Sequence, residues 1–187
     1  LGKQVGVIMQ TSDSKKNQTH EHKNSTSQAN LLEIVREFDV PVEKLFQAFT
    51  SAEVLKIWWW PKGLYSDHID LEFREGGKYF INMKGYERGG GGMTGQFEEI
   101  VKNELIVMTD QFADDNGRAI SAKEAQMPGA WPELGYITFE FEAIDDNKSG
   151  FKLSQEGIPN EMQKDCIQGW SESFDKLREY LEGRKSH

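Results

Sequence analysis

Near the C-terminus of the chain, Met162, Cys166, Trp170, Phe174, Leu177 and Leu181 recur at spacings of four, four, four, three and four. Only an α-helix puts residues at those intervals on one line, so the segment from about Asn160 to Glu182 is expected to be a single amphipathic helix. At the usual rise per residue it would run for roughly 35 Å, long enough to lie across a whole antiparallel sheet. The rest of the chain therefore has to supply a surface that covers this stripe.

The preceding residues read as that surface. Leu31 to Asp39 has the apolar and β-branched density of a strand, and Pro41 then sits in the first turn of a short helix carrying Val42, Leu45, Phe46 and Phe49. Thr50-Ser51 offers an N-cap for a second short helix through Ala52, Leu55 and Ile57, which Pro61 ends. Ile69, Leu71 and Phe73 alternate with Asp70, Glu72 and Arg74; after a Gly76-Gly77 turn, Tyr79, Ile81 and Met83 alternate with Lys78, Phe80 and Asn82. That pattern is a β-hairpin. Met93 to Val101 with Leu105 to Phe112 makes a second, and Gly135 to Ile144 with Gly150 to Gln155 a third. The expected class is α+β: a seven-stranded, curved antiparallel sheet gripping a long C-terminal helix, with two short helices after the first strand.

Composition separates a tail from this domain. Residues 1–30 are polar: Thr11 to Asn30 holds one alanine and no larger apolar side chain, so it cannot offset its own ordering entropy. Residues 31–187 form the folded unit. Four lysines against Asp13 and Glu21 give the tail +2, so the chain's −9 leaves −11 on the domain. A body this acidic repels phosphate backbones and anionic lipid, which excludes general nucleic-acid binding. No apolar run approaches a membrane span, and a single cysteine, Cys166, provides neither a disulfide nor a thiol pair for zinc. A cytoplasmic protein without membrane insertion, metal or cofactor is expected.

Few motifs carry chemistry. His20-Glu21-His22 lies in the polar tail, without the fixed geometry of a metal site. Gly89 to Gly92 is followed by Met93-Thr94 and a strand, not by the Lys-Ser/Thr and helix of a phosphate loop, so it reads as a mobile connection. Asp114-Asp115-Asn116-Gly117 lacks the spaced ligands of a calcium loop and reads as a turn. His68 is the one domain histidine available for general acid/base work before the C-terminal His187, and Glu72, Glu98, Glu140, Glu142 and Glu156 fall mostly on solvent faces by alternation. Trp58-Trp59-Trp60-Pro61 stands out, since three consecutive indoles cannot share one helix face. Trp131, between two prolines in the long segment from Phe112 to Leu134, is a second rigid aromatic in irregular chain.

Taken in order, several segments resemble the homologues of the activator of the heat-shock-protein-ninety ATPase, within the START-like, birch-pollen-allergen-like helix-grip superfamily. The carriers are Phe38-Asp39-Val40-Pro41 with Val42, Leu45 and Phe46; Trp58-Trp59-Trp60-Pro61; Phe73-Arg74-Glu75-Gly76-Gly77; and Met93 to Ile100. Ile137 to Phe141, Glu156-Gly157-Ile158-Pro159 and Gly169-Trp170 with the Leu177 to Leu181 helix end continue the match. The resemblance implies the same seven strands around a C-terminal helix, two short helices closing one end, and an interior cavity. Superfamily members bind lipids, hormones and polyketide-like molecules, a few are cyclases or hydrolases, and co-chaperone members bind the chaperone. No universal catalytic motif carries over.

The reading that results is a non-enzymatic or weakly catalytic module that binds an apolar small molecule between sheet and helix. Its expected wall is Trp59, Trp60, Phe73, Tyr79, Ile81, Met83, Trp131, Phe139, Phe141, Trp170 and Phe174. The alternatives are a domain that docks a chaperone, and a cyclase- or hydrolase-like enzyme using His68 or a sheet carboxylate.

Overall fold

A computed structural model describes residues 30–85 and 90–183. The tail with His20 and His22, the segment Tyr86-Glu87-Arg88-Gly89, and His187 lie outside the described residues.

The chain opens with β1 (Leu31–Phe38) and two short helices, α1 (Val42–Gln47) and α2 (Ala52–Trp58). Then come β2 (Ile69–Leu71), β3 (Lys78–Asn82), β4 (Gly92–Val101), β5 (Leu105–Ala113), β6 (Ala119–Ile120), β7 (Gly135–Asp145) and β8 (Lys148–Glu156). A 3-10 turn over Asn160–Met162 leads into the last element, α3 (Gln163–Glu182). The sheet is antiparallel, in the order β1-β8-β7-β5-β4-β3-β2. Both the helix-grip architecture and the positions of its helices match the expectation.

Two details differ. An eighth strand, β6, pairs with the last two residues of β5. It is too short to show alternation in sequence, and it arises from the turn before it: Asp114 accepts hydrogen bonds from the backbone N–H groups of Asn116 and Arg118 at 3.0 Å, which folds the chain back. The first hairpin is also shorter than its alternation suggests, because β2 ends at Leu71 and Phe73 belongs to the connection. There the Phe73 ring wedges between Phe46 and Phe97, with centroids 6.0 and 5.1 Å away.

The core lies between the concave face of the sheet and the second half of α3. Phe49 meets Trp58, Phe139 and Phe141 at 4.8–5.0 Å, and Phe151 meets Phe174 at 4.8 Å, mostly edge to face. Interlocked aromatic pairs of this kind contribute about 0.5–1.5 kcal/mol each beyond their buried area. The three consecutive tryptophans divide: Trp58 and Trp59 are buried and Trp60 is half-buried. Trp58 donates its indole N–H to the Ala48 carbonyl at 3.0 Å, pinning the end of α1 to α2.

Candidate functional site

At the other end of the grip the core gives way to an open cleft of about 1180 Å³. Met162, in the turn before α3, and Cys166, Gly169 and Trp170 in its first half form one wall. Trp59, Trp60 and Met83 stand beside it; the end of β5, the turn after it and the segment around Met127 and Trp131 close the opposite side.

Three adjacent strands explain why space opens here. In β5 the inward row runs Ile106, Met108, Asp110; in β7 it runs Phe141, Phe139, Ile137, Gly135; in β8 it runs Phe151, Leu153, Gln155. Register aligns these rows, with Met108 opposite Ile137, Asp110 opposite Gly135, and Ile137 opposite Gln155. All three rows change at the same end of the sheet from large apolar side chains to small or polar ones. Across the cleft, Gly91 and Gly92 press against neighbouring strands so closely that a Cβ on either would strike the carbonyl oxygen of Ala113 or Ile81.

The polar groups are joined. Trp170 donates its indole N–H to Gln155 Oε1 at 2.7 Å, and Gln155 Nε2 donates to Asp110 Oδ2 at 2.9 Å. Burial pushes the Asp110 carboxyl up to about 6, with the Gln155 hydrogen bond pulling the other way. The same burial, with Asp165 and Asp110 nearby, pushes the Cys166 thiol up to about 11, so this cysteine is a poor nucleophile at neutral pH. Behind the cleft, Ser173 Oγ donates to the Trp59 carbonyl at 2.9 Å and Lys176 Nζ to the Trp60 carbonyl at 2.7 Å. They satisfy the end of α2 where Pro61 stops the helix. Trp60 shares its indole N–H between Asn82 O at 2.7 Å and Ser66 Oγ at 2.8 Å, and Trp131 donates its own to Pro128 O at 2.7 Å while packing edge-on against Phe112. With Trp59 donating to Met93 Sδ at 3.1 Å, each of the four indoles lining the cleft is oriented by a protein partner.

Of the eleven residues expected to form a binding wall, the structure brings Trp59, Trp60, Met83, Trp131 and Trp170 together around the cleft. Phe73, Tyr79, Ile81, Phe139, Phe141 and Phe174 lie in or against the packed core instead. Tyr79, buried, donates its hydroxyl to the Thr109 carbonyl at 2.6 Å. His68 is exposed on the far side of β3, 3.0 Å from Asp70, and does not line the cleft. Glu72, Glu98, Glu140 and Glu142 are exposed, and Glu156 sits at the cleft rim. Asp110 and Gln155 were not singled out in the sequence, although extending the inward alternation from Met108 and Leu153 by one step reaches both. Among the described residues no three histidine, cysteine or acidic side chains converge as a metal site requires, and no helix is long and apolar enough to cross a membrane.

Comparison with solved structures finds the same fold in many chains. A protein of Chromobacterium violaceum superposes with a TM-score of 0.67 at 23% identity, covering 83% of this chain and 99% of its own. The AHSA1 protein of Silicibacter pomeroyi gives 0.64 at 26% identity, covering 81% and 97%. An HSP90 activator of Plasmodium falciparum gives 0.56 at 26% identity, covering 82% and 96%. Comparison with curated proteins finds no match. The model of one family, the Activator of Hsp90 ATPase homolog 1-like proteins, spans residues 39–182, from the turn after β1 to the last residue of α3. With the helix-grip fold in place around that stretch, the chain belongs to the Activator of Hsp90 ATPase homolog 1-like protein family.

Proposed function

We propose that this protein binds a small organic molecule with an apolar body in the cleft between the end of the sheet and the first half of α3. The observation that supports this reading is the cleft itself, about 1180 Å³ beside an otherwise filled core. Sites for small organic ligands commonly measure about 300–1,000 Å³ and are lined by aromatic side chains around a few polar groups. Enclosing about 300 Å² of apolar surface would contribute roughly 7 kcal/mol, equivalent to a Kd of about 10 μM before ordering costs are subtracted.

The test is a fluorescence titration with flavonoids, fatty acids and polyketides, since four tryptophans face the cleft. Binding should quench or shift their emission and slow alkylation of Cys166, which shares the wall. Gly169→Leu should weaken it: a Cβ at this position meets only Pro61 Cγ, at 3.9 Å, so the longer side chain can project into the space. Silence across the panel and to aromatic amines would overturn the reading.

A second reading is docking to a chaperone, with stimulation of its ATPase. It is favoured by the family and by the likeness to the Plasmodium falciparum HSP90 activator. Salt-sensitive co-purification with the chaperone and a raised ATPase rate would support it; neither effect with a panel-binding protein would leave the ligand reading alone.

A further inference from the structure

The charges around the cleft are one-sided. Among the described residues Asp110, Asp114, Asp115, Glu124, Glu133, Glu156 and Asp165 line it, and no lysine, arginine or histidine does. A cleft charged like the chain as a whole, with 31 acidic and 22 basic residues, would place about three basic groups among seven charged ones. Some of these carboxylates have structural work. Asp114 pairs with Arg118 at 3.0 Å, Asp115 Oδ1 accepts from the Gly91 N–H at 2.6 Å, and Glu124 accepts from the Ser121 N–H at 2.8 Å. Asp110 is different. It stands in the wall with Gln155 as its hydrogen-bond donor at Oδ2, and among the described residues neither a hydrogen bond nor an ion pair reaches Oδ1.

Resting on the reading of the cleft as a ligand site, we propose that it is selective for organic cations: the ligand carries a protonated amine beside its apolar body, and the Asp110 carboxylate receives the ammonium. The carboxylates are spread around the cleft instead of converging, which suits one charged group on a large apolar body and not a bare metal ion. A carboxylate in a wall with one amide donor is costly to the empty fold, and an ammonium would supply the missing partner.

The experiment is calorimetry of the full chain with three probes sharing one indole body: tryptamine, tryptophol and indole propionate. Tryptamine should bind about tenfold tighter than tryptophol, with the carboxylate weakest. Asp110→Asn should remove the advantage of the amine while leaving tryptophol unchanged. Glu43→Gln, an exposed position of α1 at the packed end, should keep it, which separates a local anchor from the chain's overall negative charge. Equal affinities, an amine preference that survives Asp110→Asn, or one that falls equally in Glu43→Gln would each overturn the proposal while leaving the cleft reading standing. No binding by any of the three would overturn the proposal, while the cleft reading stands or falls on the fluorescence titration.

Discussion

The two halves of α3 carry one continuous apolar stripe yet meet different surroundings. Phe174, Leu177 and Leu181 are buried against the aromatic core, whereas Met162, Cys166 and Trp170 are half-buried and face the cleft. The helix does not make this difference. The sheet opposite does, by replacing Ile137, Met108 and Leu153 with Gly135, Asp110 and Gln155 one pleat further along each strand. A helix stripe fixes which face is buried; what stands across from it decides whether that face ends in packing or in space.

Substitutions at the two ends should separate them. Phe174→Ala empties a site where the ring touches Phe151 and Trp170, and should cost about 3–5 kcal/mol in chemical denaturation. A cost near that of a surface change would mean the packed end is not packed. Asp110→Asn should act in the opposite direction. Because the folded carboxyl titrates near 6 and the unfolded one near 3.8, the native state holds this proton more tightly. The penalty is therefore absent below pH 4, grows as pH rises toward 6 and is complete above it. The variant should be more stable than wild type by up to about 3 kcal/mol at pH 7, and equal to it below pH 4. Parallel stability curves across that range would break this account of the cleft wall.

Smaller effects sharpen the contrast. Trp170→Phe removes the donor to Gln155 Oε1 but leaves the amide where cleft water can reach it, so the loss should be about 1 kcal/mol. Gly169→Ala adds a methyl group to a helix interior beside open space and should stabilise by about 0.5–1 kcal/mol, read as a shift of the denaturation midpoint with an unchanged slope.

Much of the architecture was legible in the sequence because periodicity reports which face of an element is buried. The stripe from Met162 to Leu181, the three hairpins and the two helices around Pro41 and Pro61 all follow from it. Strand β6 was not legible, since two residues carry no period and their pairing depends on the Asp114 turn. The wall of the site was half legible. Large aromatics marked Trp59, Trp60, Trp131 and Trp170, but the same criterion also chose Phe139, Phe141 and Phe174, which fill the core. Residue type alone does not distinguish a lining ring from a packed one. Asp110 and Gln155 are polar, so an apolar criterion passes over them, although their inward parity follows from the neighbouring residues.

By itself, the sequence determined the elements, their inward faces, the acidic charge of the domain and the family. Only the tertiary structure decided that Asp110, Gly135 and Gln155, which are 45 residues apart at their furthest, stand at one end of the sheet facing the first half of α3. The physical reason is register. Alternation assigns a side chain to a face, but its place along that face depends on which residues lie opposite in the neighbouring strands, and hydrogen-bonded pairing sets this only once the sheet has closed.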